Sequence, residues 1–192
     1  MSQKGLLTVV SGFSGAGKGT LMKALLAKYA DRYALSISAT TRGPREGEQD
    51  GREYFFLKKE EFEQMIEEDA LIEHAQYVGN YYGTPKKYVM EQREAGKDVL
   101  LEIEIQGALK VKEKFPDTLL IFVTPPSAKE LESRLRGRGT ETAEVIEKRL
   151  ARAGEEAVYM DQYDYILVND DLDTCVEELH HLIQSQHARS EE

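Results

Sequence analysis

Residues 6–26 read LLTVVSGFSGAGKGTLMKALL, and the reading of this stretch decides the fold. The run LLTVV at 6–10 is short, apolar and β-branched, as a buried strand is, while Leu21, Leu25 and Leu26 recur at the spacing of one helical face. Between them lies a glycine loop that follows the pattern Gly-x-x-x-x-Gly-Lys through Gly12, Gly17 and Lys18. It departs from the pattern at Gly19, where Ser or Thr is expected, and Thr20 arrives one residue late. The order strand, glycine loop, helix is what phosphate binding needs. Glycines let successive backbone N–H groups turn toward phosphate oxygens, the helix N-terminus adds positive potential, and Lys18 supplies a mobile full charge.

Outward from this stretch the alternation continues. Strand-like runs recur as LSISA at 35–39, VLLEIEI at 99–105, TLLIFV at 118–123 and DYILV at 164–168, and each of the last three precedes a helical pattern. Such continuously apolar strands suit a parallel sheet covered on both faces. The fold expected is therefore α/β: a parallel sheet of P-loop NTPase type flanked by helices, carrying an inserted small α+β subdomain and a helical lid. Thr84-Pro85 reads as an N-cap and first-turn proline, Gly96 as the end of that helix, and Ser127 with Glu130 as a capping box. The core is expected at 1–35, 91–126 and 159–192, the insertion at 36–90, and the lid at 127–158, where RGRGTET at 136–142 separates two helices.

The 192 residues suit one globular domain. A formal charge of −10, from 25 Lys plus Arg against 35 Asp plus Glu, argues against a nucleic-acid polymer as partner. The single cysteine, Cys175, has no internal partner, and no run resembles a signal peptide or a membrane span, so a reducing cytoplasm is the expected compartment and no membrane partner is expected. His180 and His181 are adjacent rather than i, i+4, which makes them a poor metal pair. Leu172, Val176, Leu179 and Ile183 form a core-facing helical stripe. Nothing in the spacing sets an oligomeric state.

In an open α/β sheet, ligands bind beyond the carboxyl ends of the strands. That rule gathers the P-loop with Ser38, Thr40 to Arg45, Glu102, Glu104, Gln106, Thr124 and Asn169 to Asp171 on one rim. The insertion holds TTRGPREGE and LIEHAQYVGNYYGT; with LEIEIQG, GRGTE at 137–141 and VNDDL at 168–172, nearly the whole chain resembles guanylate kinases. The resemblance implies transfer of the γ-phosphate of ATP to GMP, giving ADP and GDP, a step of purine nucleotide metabolism. It implies that Gly12, Phe13, Ser14, Gly15, Ala16, Gly17, Lys18, Gly19 and Thr20 bind ATP, with Arg134, Arg138 and Asn169. Arg42, Arg45, Tyr54 and Tyr82 fall to the GMP phosphate, and Ser38, Glu73, Thr84 and Glu104, with Glu102 close by, to guanine. Lys18, Arg42, Arg138 and Arg149 are the implied catalytic cations. The implied cofactor is Mg2+, held mainly by substrate phosphates and water, with Thr20 as a candidate protein contact.

Chemistry supports that division. Arginine forks suit a phosphate dianion, and guanine offers N1–H and N2–H₂ donors to a carboxylate. Adenine would turn a lone pair toward Glu73, and a site built on such hydrogen bonds rejects the wrong base by roughly 10⁴. The attacking phosphate oxygen is already anionic, so no protein base is needed. Gly19 fits a nucleotide kinase loop, in which the metal rides on the phosphates. Many family members carry Asp where this chain has Glu104, and some at 102, so both carboxylates here have a longer arm. The rival class is a non-catalytic guanylate-kinase-like module that grips a phosphopeptide; such modules typically lose cations that this chain keeps at Lys18, Arg138 and Arg149.

Overall fold

A computed structural model describes residues 4–137 and 142–189. The main sheet is built from β1 (Leu7–Gly12), β2 (Tyr33–Leu35), β7 (Asp98–Glu102), β8 (Leu119–Thr124) and β9 (Tyr165–Val168), in the order β2-β7-β1-β8-β9, with every pairing parallel. Val9 and Val10, Leu100 and Leu101, and Ile121 and Phe122 are each fully buried, although neighbours in a strand point to opposite faces. Both faces are therefore covered, as the apolar runs required. The covering helices include α1 (Lys18–Lys28), α3 (Lys86–Glu94), α4 (Ile105–Lys114) and α7 (Leu172–Arg189). Val176, Leu179 and Ile183 of α7 are buried and Leu172 packs at the core's edge, as the stripe implied.

A second sheet lies between the core strands in sequence. It comprises β3 (Ser38–Thr40), β4 (Tyr54–Phe56), β5 (Leu71–Tyr77) and β6 (Asn80–Pro85), ordered β4-β3-β6-β5, with β3–β4 parallel and the other pairs antiparallel. Its own small core joins Ala39, Phe62 and Leu71, with Phe62 of α2 (Lys59–Glu67) stacked on Tyr81 at 5.2 Å between ring centroids. After β8 come α5 (Ala128–Gly137) and α6 (Ala143–Ala157), the two helices expected for the lid.

Three local expectations change. LSISA is not one strand: β2 ends at Leu35 and β3 begins at Ser38, so the chain leaves the main sheet there and enters the second one. VLLEIEI stops being strand at Glu102, and Ile105 opens α4 with its side chain still in the core. Thr84 does not cap a helix: it is in β6 with its hydroxyl committed to Glu73, and Pro85 takes the N-cap place at φ −60°. Of the Ser127 capping box, the bond from Glu130 N–H to Ser127 Oγ forms at 3.1 Å. Gly96 does end α3, at φ +83°. Helix α3 runs across the boundary expected at residue 90, and its Val89 packs in the main core.

Candidate active site

All five core strands end on the same rim, and the P-loop leaves β1 at its centre. Gly17 is the N-cap of α1 in a left-handed conformation at φ +89°, which a side chain resists, and a Cβ there would lie 2.5 Å from Asn169 Nδ2. That Asn169 amide, buried at the end of β9, donates to Ala16 O at 2.8 Å, so the last core strand braces the loop. Lys18 Nζ donates to Gly12 O and Phe13 O at 2.8 and 3.1 Å, curling back over the loop it belongs to. Ser14, Gly15, Gly17, Lys18, Gly19, Thr20, Lys23 and Glu102 line a polar pocket of about 340 Å³. Removing the brace should matter: Asn169→Ala leaves the Ala16 carbonyl without its donor at a buried position, at a cost of about 2 kcal/mol. The expected result is a lower melting temperature and a several-fold higher KM for ATP, with GMP binding kept, read by calorimetry and by kinetics.

Glu102, at the end of β7, lines this pocket together with the P-loop. The crowded loop around it pushes its carboxyl pKa up, while Lys18 and Lys23 pull the other way. Helices α5 and α6 also come to the P-loop. Gly15 lies under α5, where a Cβ would meet Leu135 Cδ2 at 2.9 Å. Arg134 donates to Asn169 O at 2.9 Å and to Glu130 at 2.8 Å, and Arg149 of α6 donates to Ser14 Oγ at 2.9 Å. Arg138 lies outside the described residues, as do 139–141 of GRGTE.

The second sheet assembles the other expected group. Arg42 stacks over Tyr54 at 5.4 Å from the ring centroid, and the Tyr54 and Tyr82 rings are 6.2 Å apart. Glu48, which the sequence reading did not single out, binds Arg42 Nη1 and Nη2 at 3.0 Å each and also accepts the Arg45 backbone N–H at 2.7 Å. This pairing holds the Glu48 pKa below the ordinary carboxylate range. The i, i+6 spacing across Gly43-Pro44 gave no periodic signal for it. Ser38 opens β3 directly opposite Tyr54, and Arg45 is exposed at the loop's edge.

Glu73 is the buried acid of this sheet. A register irregularity between Leu71 and His74 breaks the alternation of β5, so that Leu71, Ile72 and Glu73 are all buried while His74 is exposed. Thr84 Oγ1 donates to Glu73 Oε1 at 2.7 Å, and Oε2 faces Gly107 on the first turn of α4, where a Cβ would approach it to 3.1 Å. Burial raises the Glu73 pKa, and the Thr84 hydrogen bond only partly offsets it. Glu104 takes the N-cap position of α4, exposed to solvent, and pairs with Arg152 of α6. His180 stacks on Tyr29 at 3.9 Å, and burial pushes the Cys175 thiol up to about 12, which suits an unreactive structural residue.

A P-loop on a parallel sheet, facing a second sheet that carries an arginine cradle and a buried carboxylate, defines a nucleotide kinase of the P-loop class. A family model described as guanylate kinase matches residues 4–186. The chain belongs to the guanylate kinase family. It is 54% identical over 189 residues to the guanylate kinase of Caldanaerobacter subterraneus subsp. tengcongensis, covering 98% of this chain and 91% of that one. It is 51% identical to that of Latilactobacillus sakei, covering 98% and 93%. The crystal structure of guanylate kinase from Anaplasma phagocytophilum superposes with a TM-score of 0.74 at 31% identity, covering 96% of this chain and 87% of that one.

Proposed function

We propose that GMP binds the second sheet and the first turn of α4, that ATP binds the P-loop, and that the γ-phosphate crosses the gap between them. ATP-dependent phosphorylation of GMP is the activity of the family to which the chain belongs. The division of labour assigns 36–90 to the acceptor, 127–158 to the lid, and 1–35, 91–126 and 159–192 to the core. What carries it is the pairing of Arg42 with Glu48. A guanidinium has five N–H donors. Glu48 takes one from each Nη and Gly43 O takes the other on Nη1 at 2.7 Å. Tyr82 also hydrogen-bonds this guanidinium, whose Nε and second Nη2 donors share one edge, the fork that matches two phosphate oxygens. Tyr54, Tyr82 and Arg45 complete that shell, while Glu73 reads the N1–H and N2–H₂ edge of guanine and Ser38 and Thr84 supply hydroxyls.

The donor side relies on alignment and charge. Backbone N–H groups from Phe13 to Thr20 cradle the ATP phosphates; Lys18, Arg134, Arg138 and Arg149 spread the charge that develops during transfer, and Asn169 keeps the loop shape. Arg42 holds the attacking phosphate oxygen in line. Among the described residues no group of three or more His, Cys, Asp or Glu is arranged to hold a metal ion. The Thr20 hydroxyl and Glu102 carboxylate lining the phosphate pocket do fit Mg2+ carried largely by phosphates and water. When bound, that ion neutralises phosphate charge. Among the described residues no helix is long and apolar enough to cross a membrane.

The test is ADP formation from ATP and Mg2+ with GMP, AMP, CMP or UMP offered separately. Turnover with GMP, exceeding that with AMP by roughly 10⁴ in kcat/KM, is the expected result. Absence of turnover alongside tight phosphopeptide binding would mark a binding module instead.

A further inference from the structure

Arg152 has no place in the motifs that the sequence reading used, yet it stands where three parts of the molecule meet. Its Nε donates to Glu156 Oε1 at 2.8 Å, one turn along α6, and its Nη2 donates across the cleft to Glu104 Oε2 at 2.5 Å. The Tyr77 phenol, at the end of β5, lies nearby. Glu156 is the anchor: its side chain is 15% exposed, against 53% for Arg152, so the guanidinium is held from the lid side. Glu104 makes no capping bond to α4 with its side chain. Three residues further on, Gly107 touches Glu73, so Glu104 belongs to the turn that borders the buried acid.

We propose that Arg152 is a positioning residue: it holds Oε2 of Glu104 to the lid helix, leaves Oε1 for a donor on the acceptor base, and thereby makes GMP affinity depend on α6. The inference rests on the assignment of the α4 turn to the acceptor site. The length of the Glu104 arm is part of it. An Asp at 104 would fall one methylene short of Arg152, so this chain's longer carboxylate and its lid arginine act as one unit. An exposed ion pair is weak alone, but one that orders a ligand-facing carboxylate passes its effect to binding.

The experiment uses the full chain, varying GMP and ATP separately for the wild type, Arg152→Ala, Arg152→Lys, Glu104→Asp and the double variant Arg152→Ala/Glu104→Asp. The expected result for Arg152→Ala is a rise in KM for GMP of roughly three- to tenfold, with KM for ATP within about twofold of wild type. Arg152→Lys should recover part of the loss, Glu104→Asp should resemble Arg152→Ala, and the double variant should be no worse than either single one. An unchanged KM for GMP, a change confined to ATP, or additive losses would overturn the proposal. Failure of the wild type to phosphorylate GMP would instead bring down the acceptor assignment beneath it, and that shows before any variant is read. Because Arg152 is half exposed on one helix, unchanged melting temperatures should accompany these shifts.

Discussion

Lys18→Ala should lose about 10³-fold in kcat while binding GMP as the wild type does. Phosphoryl transfer asks the protein for alignment and positive charge, and Lys18 is the one full charge on the loop itself, lining the pocket with Glu102 and Lys23. Its ammonium also donates to Gly12 O and Phe13 O, so Ala removes both a charge at the phosphates and a clasp on the loop. Lys18→Gln separates the two: its amide N–H₂ keeps a donor for the loop carbonyls but carries no charge. If charge stabilisation dominates, Gln and Ala lose kcat alike, whatever their difference in melting temperature. Arg42, Tyr54 and Tyr82, proposed to hold the acceptor phosphate, belong to the other sheet, so titration calorimetry should find an unchanged GMP affinity. Equal collapse of GMP binding and turnover would mean that donor and acceptor sites are not divided between the two sheets.

The legible parts of the molecule were those whose signal is local. The strand–loop–helix at 6–26 names its own conformation, because left-handed Gly17 and the close approaches at Gly12 and Gly15 admit no side chain. Tyr54, Tyr82 and Arg42, which the motif resemblance assigns to one phosphate, lie together beside the second sheet. What escaped was decided by tertiary contact. Nothing in LSISA tells that Leu35 pairs with Leu100 while Ala39 pairs with Phe55, since both halves have the same apolar character. Thr84-Pro85 has the residue chemistry of a helix start, but a buried carboxylate eleven residues earlier outcompetes the cap for the hydroxyl. Glu48 on Arg42 and Arg152 on Glu104 are side-chain pairings across loops or between elements, and no periodicity encodes those. Glu102 and Glu104, two residues apart, separate because the strand ends between them: one lines the P-loop pocket and the other takes the exposed N-cap position of the next helix.

Glu73→Gln should erase most of the preference for guanine and at the same time stabilise the ligand-free protein. The carboxylate is buried among Thr84, Gly107 and the second sheet, and desolvation raises its pKa above the ordinary value for Glu. A folded-state pKa above the unfolded one means that the folded chain binds the proton more tightly. The stability from this group is therefore present at low pH and lost as pH rises through the folded pKa, so at neutral pH ionised Glu73 works against the apo fold. A neutral amide relieves that penalty and still accepts the Thr84 hydroxyl through Oε1, so the melting temperature at pH 7 should rise. Binding moves the opposite way. Gln presents at most one acceptor and turns an N–H₂ toward guanine's own donors, which should cost roughly 10²- to 10³-fold in kcat/KM for GMP while leaving the poor AMP rate little changed. The wild type should weaken toward GMP as pH falls through the raised pKa of Glu73, at a higher pH than an exposed glutamate would give, and the Gln variant should lack that limb. The measurement is kcat/KM for GMP and AMP across pH, with melting curves on the same samples. An unaltered GMP/AMP ratio in the variant would remove Glu73 from base recognition, and a lowered melting temperature would show that its buried charge is paired well enough to support the fold.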